Sequence, residues 1–223
     1  MERDLADTMA NVVPSRRDAM PAGGEEDVRG WIEICLSRGA GAEEAFTRIV
    51  RRYRDRVVSV VAAMLGDADP AEDVAQEVFL KVHASLSQFR FESRFEAWLH
   101  RIAARTAVDH TRRFWSRRRV ALDGLPEPRR EVALSGDGGN PVPGAREGDP
   151  ERRLLEAERA RIVRRALREV PAPFRAAVVL KDLADLSYKE IGQALGCPLG
   201  TVESRIHRGR AILRRKLERI LPT

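Results

Sequence analysis

Apolar residues recur at three- and four-residue intervals along most of the chain, which predicts helices that each bury one face; no stretch sustains the alternation of a strand. Trp31, Ile34, Cys35 and Leu36 outline a short amphipathic helix that ends near Gly39 and Gly41. Phe46, Ile49, Val50, Tyr53, Val57, Val61 and Met64 keep helical spacing over 42–65, with Gly66 as the stop. The arginines across from them, Arg48, Arg51, Arg52, Arg54 and Arg56, read as a solvated face. Asp69 and Pro70 open the next helix, whose buried side is Ala71, Ala75, Val78, Phe79, Val82 and Leu86. Asp73, Gln76, Glu77 and Leu80 are left on or near its opposite side, an apolar side chain among acids.

A connector with two aromatics, Phe89-Arg90-Phe91-Glu92, leads to Ser93 and Glu96, the spacing of a capping box. The helix predicted from residue 94 buries Phe95, Trp98, Leu99, Ile102 and Thr106, and places Arg101, Arg105, Arg112 and Arg113 on or beside its outer face. Aromatic residues in such a connector either stack on unpaired bases or plug the adjoining core, and composition alone favours the plug. The run Arg112 to Arg119 mixes cations with Phe114 and Trp115, a combination suited to phosphates and stacked bases.

Periodicity is absent over 1–25, read as a disordered tail, and over 120–150, where Pro, Gly and Asp predominate. The second stretch reads as a flexible linker, so the fold class expected is all-α, with two small helical domains at 26–119 and 151–223.

The second domain ends in the most informative segment, 187–217. Ser187 and Glu190 form a capping box, Tyr188, Ile191, Ala194 and Leu195 make one buried face, and Gly196 ends that helix. Pro198 restarts the chain, and Val202, Ile206, Gly209, Leu213, Leu217 and Ile220 mark the apolar face of a longer helix. Thr201, Glu203, Ser204, Arg205, His207 and Arg208 point elsewhere. Two helices joined by a tight turn, the second with such an outer face, predict a helix-turn-helix reading duplex DNA in the major groove. On this reading small Gly209 and Ala211 also allow close approach to the groove.

Charge supports a polyanionic partner: 40 Lys and Arg outnumber 34 Asp and Glu, for a formal net charge of +6. The 2 cysteines, Cys35 and Cys197, are far apart and lack metal-ligand spacing, which fits a reducing cytoplasm and predicts neither a zinc site nor a disulfide framework. No apolar run is long enough for a membrane span, so no membrane insertion is expected. Asp109, His110 and His100 superficially suggest a metal hydrolase. Positions 100 and 110 stand far apart on one helix, however, so no catalytic site, metal or cofactor is expected and the chain is not read as an enzyme.

Taken in order, EEAFTRIVRRYRDRVVSVV, AEDVAQEVFLKVHASLSQF and FEAWLHRIAARTAVDHTRR resemble region 2 of the sigma-70 family of bacterial RNA polymerase subunits. VPAPFRAAVVLKDLADLSYKEIGQALGCPLGTVESRIHRGRAILRRKL resembles region 4 of its small extracytoplasmic-function (ECF) group. The resemblance implies a cytoplasmic sigma factor that binds core RNA polymerase and directs transcription initiation. It implies docking on the clamp helices of the largest subunit through Asp73, Gln76, Glu77 and Leu80, and a further contact with the flap. Phe89, Arg90, Phe91, Glu92 and Ser93, with Arg101, Arg105, Arg112 and Arg113, would hold the melted minus-10 strand. Thr201, Glu203, Ser204, Arg205, His207 and Arg208 would read the minus-35 duplex. Control by an anti-sigma factor is also implied. Phe91, Arg105 and Glu203 depart from residues common in the family, namely Gly, Asn and a basic residue, so promoter choice is not transferable. The rival reading is a helix-turn-helix repressor or activator that binds duplex DNA without polymerase, which would need neither the acidic helix nor the linker.

Overall fold

The computed structural model describes residues 25–37, 39–122 and 150–220, with side chains described over 26–37, 39–113 and 158–220. Of the expected tail over 1–25 and linker over 120–150, residues 1–24 and 123–149 lie outside the described residues, whereas Glu25, residues 120–122 and Pro150 belong to helices. The regular structure described is helical throughout: α1 (Glu25–Ser37), α2 (Ala42–Leu65), α3 (Ala71–Ser85), a short 3-10 turn (Leu86–Gln88), α4 (Phe95–Leu122), α5 (Pro150–Arg168), α6 (Ala172–Val178), a π-helical turn (Val179–Leu183), α7 (Tyr188–Leu195) and α8 (Leu199–Ile220).

The first four helices enclose a core built on Ile32, Ile49, Val57, Val61, Val78, Val82 and Leu99, all nearly or wholly buried. A side chain the size of Leu99 stabilises the fold by about 2 kcal/mol when taken fully out of water. The stripe of α1 differs from the expected one. Val28 and Ile32 are its buried residues, Trp31 and Cys35 are half-buried, and Ile34 and Leu36 are exposed. An apolar run of adjacent residues must cover more than one helix face, so only part of it can be buried. The Asp69-Pro70 start also shifts by a residue: Pro70 is the cap, and Val74 N–H donates to its carbonyl at 3.0 Å.

The second group, α5–α8, has a core of Ala166, Val178, Leu180, Leu186, Ile191, Val202, Ile206 and Leu213. Two connections tie α8 to its neighbours: Arg210 Nε donates to Asp182 Oδ2 at 3.1 Å, and Lys216 pairs with Glu169. Gly209 is buried against α6, not turned outward. A Cβ there would stand 2.5 Å from Val178 Cγ2 and 2.9 Å from the Phe174 carbonyl, so the missing side chain serves helix packing and not approach to a groove.

The two groups share buried surface. Val60 and Met64 of α2 and Ala97, Ala104 and Ala107 of α4 belong to the core of the second group, not the first. Met64 continues the stripe expected for α2, whereas Val60, Ala97, Ala104 and Ala107 lie off the stripes expected for α2 and α4; once the first core is filled, all of them need a second cover. The linker expectation of two separately packed units did not include this shared face.

Candidate nucleic-acid interface

On α3, packing of Val74, Ala75, Val78 and Val82 into the first core turns Asp73, Gln76 and Leu80 to solvent. Leu80 is 72% exposed, the most exposed of the large apolar residues described. Glu77 beside it is half-buried and engaged: Lys81 approaches to 2.8 Å, and Arg113 of α4 donates to both carboxylate oxygens at 3.1 and 3.2 Å. The Lys81 hydrogen bond foremost, with Arg113 behind it, holds the Glu77 carboxyl below its ordinary range against the opposing effect of burial.

The aromatic connector is anchored at its root. Phe89 is only 6% exposed and packs on Phe91, Phe95 and Trp98, with ring centroids 4.9, 5.5 and 5.3 Å away. Arg90 and Glu92 are exposed, and Ser93 accepts a hydrogen bond from Arg101 at 3.3 Å. Phe91 has φ 57, the left-handed conformation that costs a non-glycine residue roughly 1–2 kcal/mol. Its ring contact with Phe89 and the Arg29 guanidinium 4.9 Å over its face offset that strain. The departure from Gly noticed in the sequence therefore falls where backbone geometry favours Gly.

Along α4, Arg112 pairs with Asp109 at 3.0 Å and is well exposed, while Arg113 reaches back to Glu77. Arg101 and Arg105 turn toward the second group: Arg101 Nη1 donates to Gln193 Oε1 at 3.5 Å, and Arg105 Nη2 to the Gln193 carbonyl at 3.2 Å.

Both expected capping features of the helix-turn-helix are present. Ser187 Oγ accepts from Glu190 N–H at 3.3 Å, and Glu190 Oε2 accepts from Ser187 N–H at 2.9 Å. Burial pushes the Glu190 carboxyl up, but the two Ser187 hydrogen bonds together with the Arg101 and Lys181 charges leave the group lowered. Gly196 has φ 63 and ψ 41, the left-handed cap that turns the chain toward α8. With Val202, Ile206, Leu213 and Leu217 buried, Glu203, Ser204, His207 and Arg208 are exposed, and Thr201 and Arg205 are half-buried at the edge. Arg205 also donates to Cys197 Sγ at 3.5 Å, which ties the outer face to the turn.

The surroundings of three residues escaped the sequence reading. Arg175, inside the apolar run Phe174 to Leu180, is buried, and Arg56, expected on a solvated face, donates to the Leu183 carbonyl. His100 is fully buried, and neither ring nitrogen has a well-formed hydrogen bond. A charged residue interrupting a buried helix face was the one signal available for Arg175. Nothing local marks Arg56 or His100, because their surroundings come from the other half of the chain.

The class of protein these faces define is a two-part helical protein, with a helix-turn-helix in one part and, in the other, a helix that exposes a leucine among acids. Residues 49–117 match the family model for sigma-70 region 2, and residues 160–213 that for sigma-70 region 4. ECF RNA polymerase sigma factor SigW of Bacillus subtilis is 32% identical over 79% of this chain and 91% of its own length. ECF RNA polymerase sigma factor SigE of Mycolicibacterium smegmatis is 38% identical over 78% of this chain, a match that spans 62% of that longer relative. The chain belongs to the ECF sigma factors of the sigma-70 family. The fold is shared with the sigma factor RpoE of Bartonella quintana, solved with the anti-sigma factor NepR, at TM-score 0.54 and 22% identity over 78% of this chain and 96% of that one. CnrH, solved with the cytosolic domain of CnrY, aligns at TM-score 0.51 and 22% identity over 86% and 98% of the two chains.

Proposed function

We propose that this sigma factor joins core RNA polymerase through α3, with Leu80 as the apolar anchor and Asp73, Gln76 and Glu77 as its polar surround, and engages promoter DNA through two further surfaces. The observation that carries the reading is the pairing, in one chain, of an exposed helix-turn-helix face with a 72% exposed leucine on an acidic helix that DNA would repel. A leucine among carboxylates suits a protein partner, not phosphate.

Domain boundaries at 26–119 and 151–223 joined by 120–150 would let the two DNA surfaces engage together, each raising the effective concentration of the other. Arg90, Phe91, Glu92 and Ser93, rooted by Phe89, together with Arg101, Arg105, Arg112 and Arg113, would hold the melted minus-10 strand. Thr201, Ser204, Arg205, His207 and Arg208 would read the minus-35 duplex, with Glu203 accepting from a cytosine amine or weakening phosphate attraction. The chain itself catalyses nothing in this scheme; polymerase does the chemistry, in the cytoplasm. Control by an anti-sigma factor is part of the proposal, motivated by the two solved neighbours, each held by a partner. Contact with the flap of polymerase is carried over from the family resemblance alone.

The test is promoter-specific transcription by purified core polymerase. The triple variant Gln76→Ala, Glu77→Ala, Leu80→Ala is expected to lose roughly tenfold or more of the specific transcript, since an interface hot spot contributes about 2 kcal/mol or more. Tight duplex binding by the chain alone, with no association with core polymerase, would instead establish the repressor or activator reading.

A further inference from the structure

Arg29 lies outside the segment matched to sigma-70 region 2, which begins at residue 49, yet the fold sets it against the aromatic connector inside that segment. Its neighbours on α1, Val28 and Ile32, are buried in the first core with Leu86 and Phe89, so α1 is fixed beside the root of the connector. Arg29 itself stays outside that core, with its side chain 64% exposed. Two contacts orient it. Nε donates to Glu33 Oε1 at 3.1 Å, one helical turn on, and Cζ stands 4.9 Å from the centroid of the Phe91 ring. Nη1 and Nη2 are left without a hydrogen-bond partner among the described residues.

Phe91 is a firm backing for this guanidinium. Its ring rests on Phe89 at 4.9 Å between centroids, and Phe89 packs in turn on Phe95 and Trp98. A series of stacked groups therefore runs from the core, through two rings of the connector, to a cation at the surface. A guanidinium is planar and weakly hydrated, so one face can lie against a ring while the other accepts a second flat group. Glu33 and Phe91 already restrict the arginine, which lowers the entropy lost when such a group arrives.

The chemistry selects the ligand. Glu33 balances the charge of Arg29, so the pair attracts a bare phosphate weakly, whereas the guanidinium plane keeps its capacity to stack. Bases within a duplex present edges and not faces. Unpaired bases do present faces, and they stack on aromatic rings and on guanidinium planes with little regard to sequence.

We propose that Arg29 is a further strand-binding residue: backed by Phe91, its guanidinium stacks on an unpaired base and extends the connector surface onto α1. That the base belongs to a melted minus-10 strand rests on the sigma-factor reading; the stacking platform does not.

The experiment titrates a short fluorescent DNA single strand of random sequence into the full chain, with and without core polymerase, at fixed salt. Arg29→Ala is expected to lose about fivefold or more in affinity, the effect of removing one stacking partner. Arg29→Lys should lose nearly as much, because lysine keeps the charge and gives up the plane. On an abasic strand of the same length, which offers phosphates alone, Arg29→Lys and the parent chain should bind alike. The double variant Arg29→Ala, Phe91→Gly should lose no more than Phe91→Gly, since the platform needs its backing ring. Circular dichroism checks that each variant keeps its helix content. Full affinity in Arg29→Lys, an equal loss on the abasic strand, or additive losses in the double variant would overturn the proposal. Promoter-specific transcription is read in parallel: a parent chain that supports none, while Arg29→Lys still loses single-strand affinity, would remove the sigma reading and leave the platform standing.

Discussion

Helices α4 and α8 both carry an outer row of arginines, yet the structure treats the two rows differently. On α8, His207 and Arg208 stand in solvent beside Ser204, on a helix held from behind by Val202, Ile206 and Leu213. On α4, Arg101, Arg105 and Arg113 are each engaged within the chain, with Gln193 or Glu77. On the roles proposed above, a face that reads duplex DNA can be finished in advance because its ligand is a rigid groove. A face that holds a melted strand would have no ligand until the duplex opens, and its cations would meanwhile find partners nearby.

The sharpest way to break that contrast is to disturb the packing that presents α8. Gly209→Ala forces a Cβ against Val178 and the Phe174 carbonyl, and backbone cannot yield as a flexible side chain would. We expect a loss of about 2–3 kcal/mol in chemical denaturation, centred on the second half, with duplex binding lost alongside. A neutral result would mean that α6 and α8 have more freedom than their geometry indicates.

A milder comparison sets the two arginine rows directly against each other. Arg208→Ala should weaken minus-35 duplex binding by about 2 kcal/mol, roughly 30-fold. Arg105→Ala should leave that measurement nearly unchanged. Equal losses in titrations at fixed salt would show that the rows are not functionally distinct.

The smallest effect is one of pH. Burial foremost, with the Arg56 charge added, pushes the His100 imidazole down to about 3 from its ordinary 6.5, opposed only by the Ala184 backbone. His100 is then neutral in the folded chain, while the unfolded chain takes up a proton below its ordinary value. Stability is therefore unaffected by this group above about pH 6.5 and falls as pH drops toward 3, by about 1.4 kcal/mol per unit. Denaturation at about pH 7.5 and 5.5 should show the decline, and His100→Phe should flatten it. An unchanged slope in that variant would place the titrating group elsewhere.

Much of the site was readable one helix at a time. The capping box at Ser187 and Glu190 and the turn at Gly196 depend on groups a few residues apart, so sequence spacing was sufficient to place them. Leu80 was legible as exposed for the same reason: the stripe of Val78, Phe79 and Val82 leaves it no other direction. Phe91 was legible only as a departure from Gly, and its φ of 57 supplied the cause.

What the sequence determined by itself was thus local and periodic: helices, caps, buried stripes, the exposed row on α8, and the family that their order resembles. Only the tertiary structure decided which half completes the other. Arg56 and Arg175 have the same chemistry as the solvated arginines of the chain; the apolar run around Arg175 sets it apart, but nothing local sets Arg56 apart or names the partner of either. Their partners, the carbonyls of Leu183, Met64 and Leu65, lie more than a hundred positions away along the chain. Periodicity reports which face of a helix must be covered, but the identity of the cover is a long-range fact, set by which apolar face remains once each core is full.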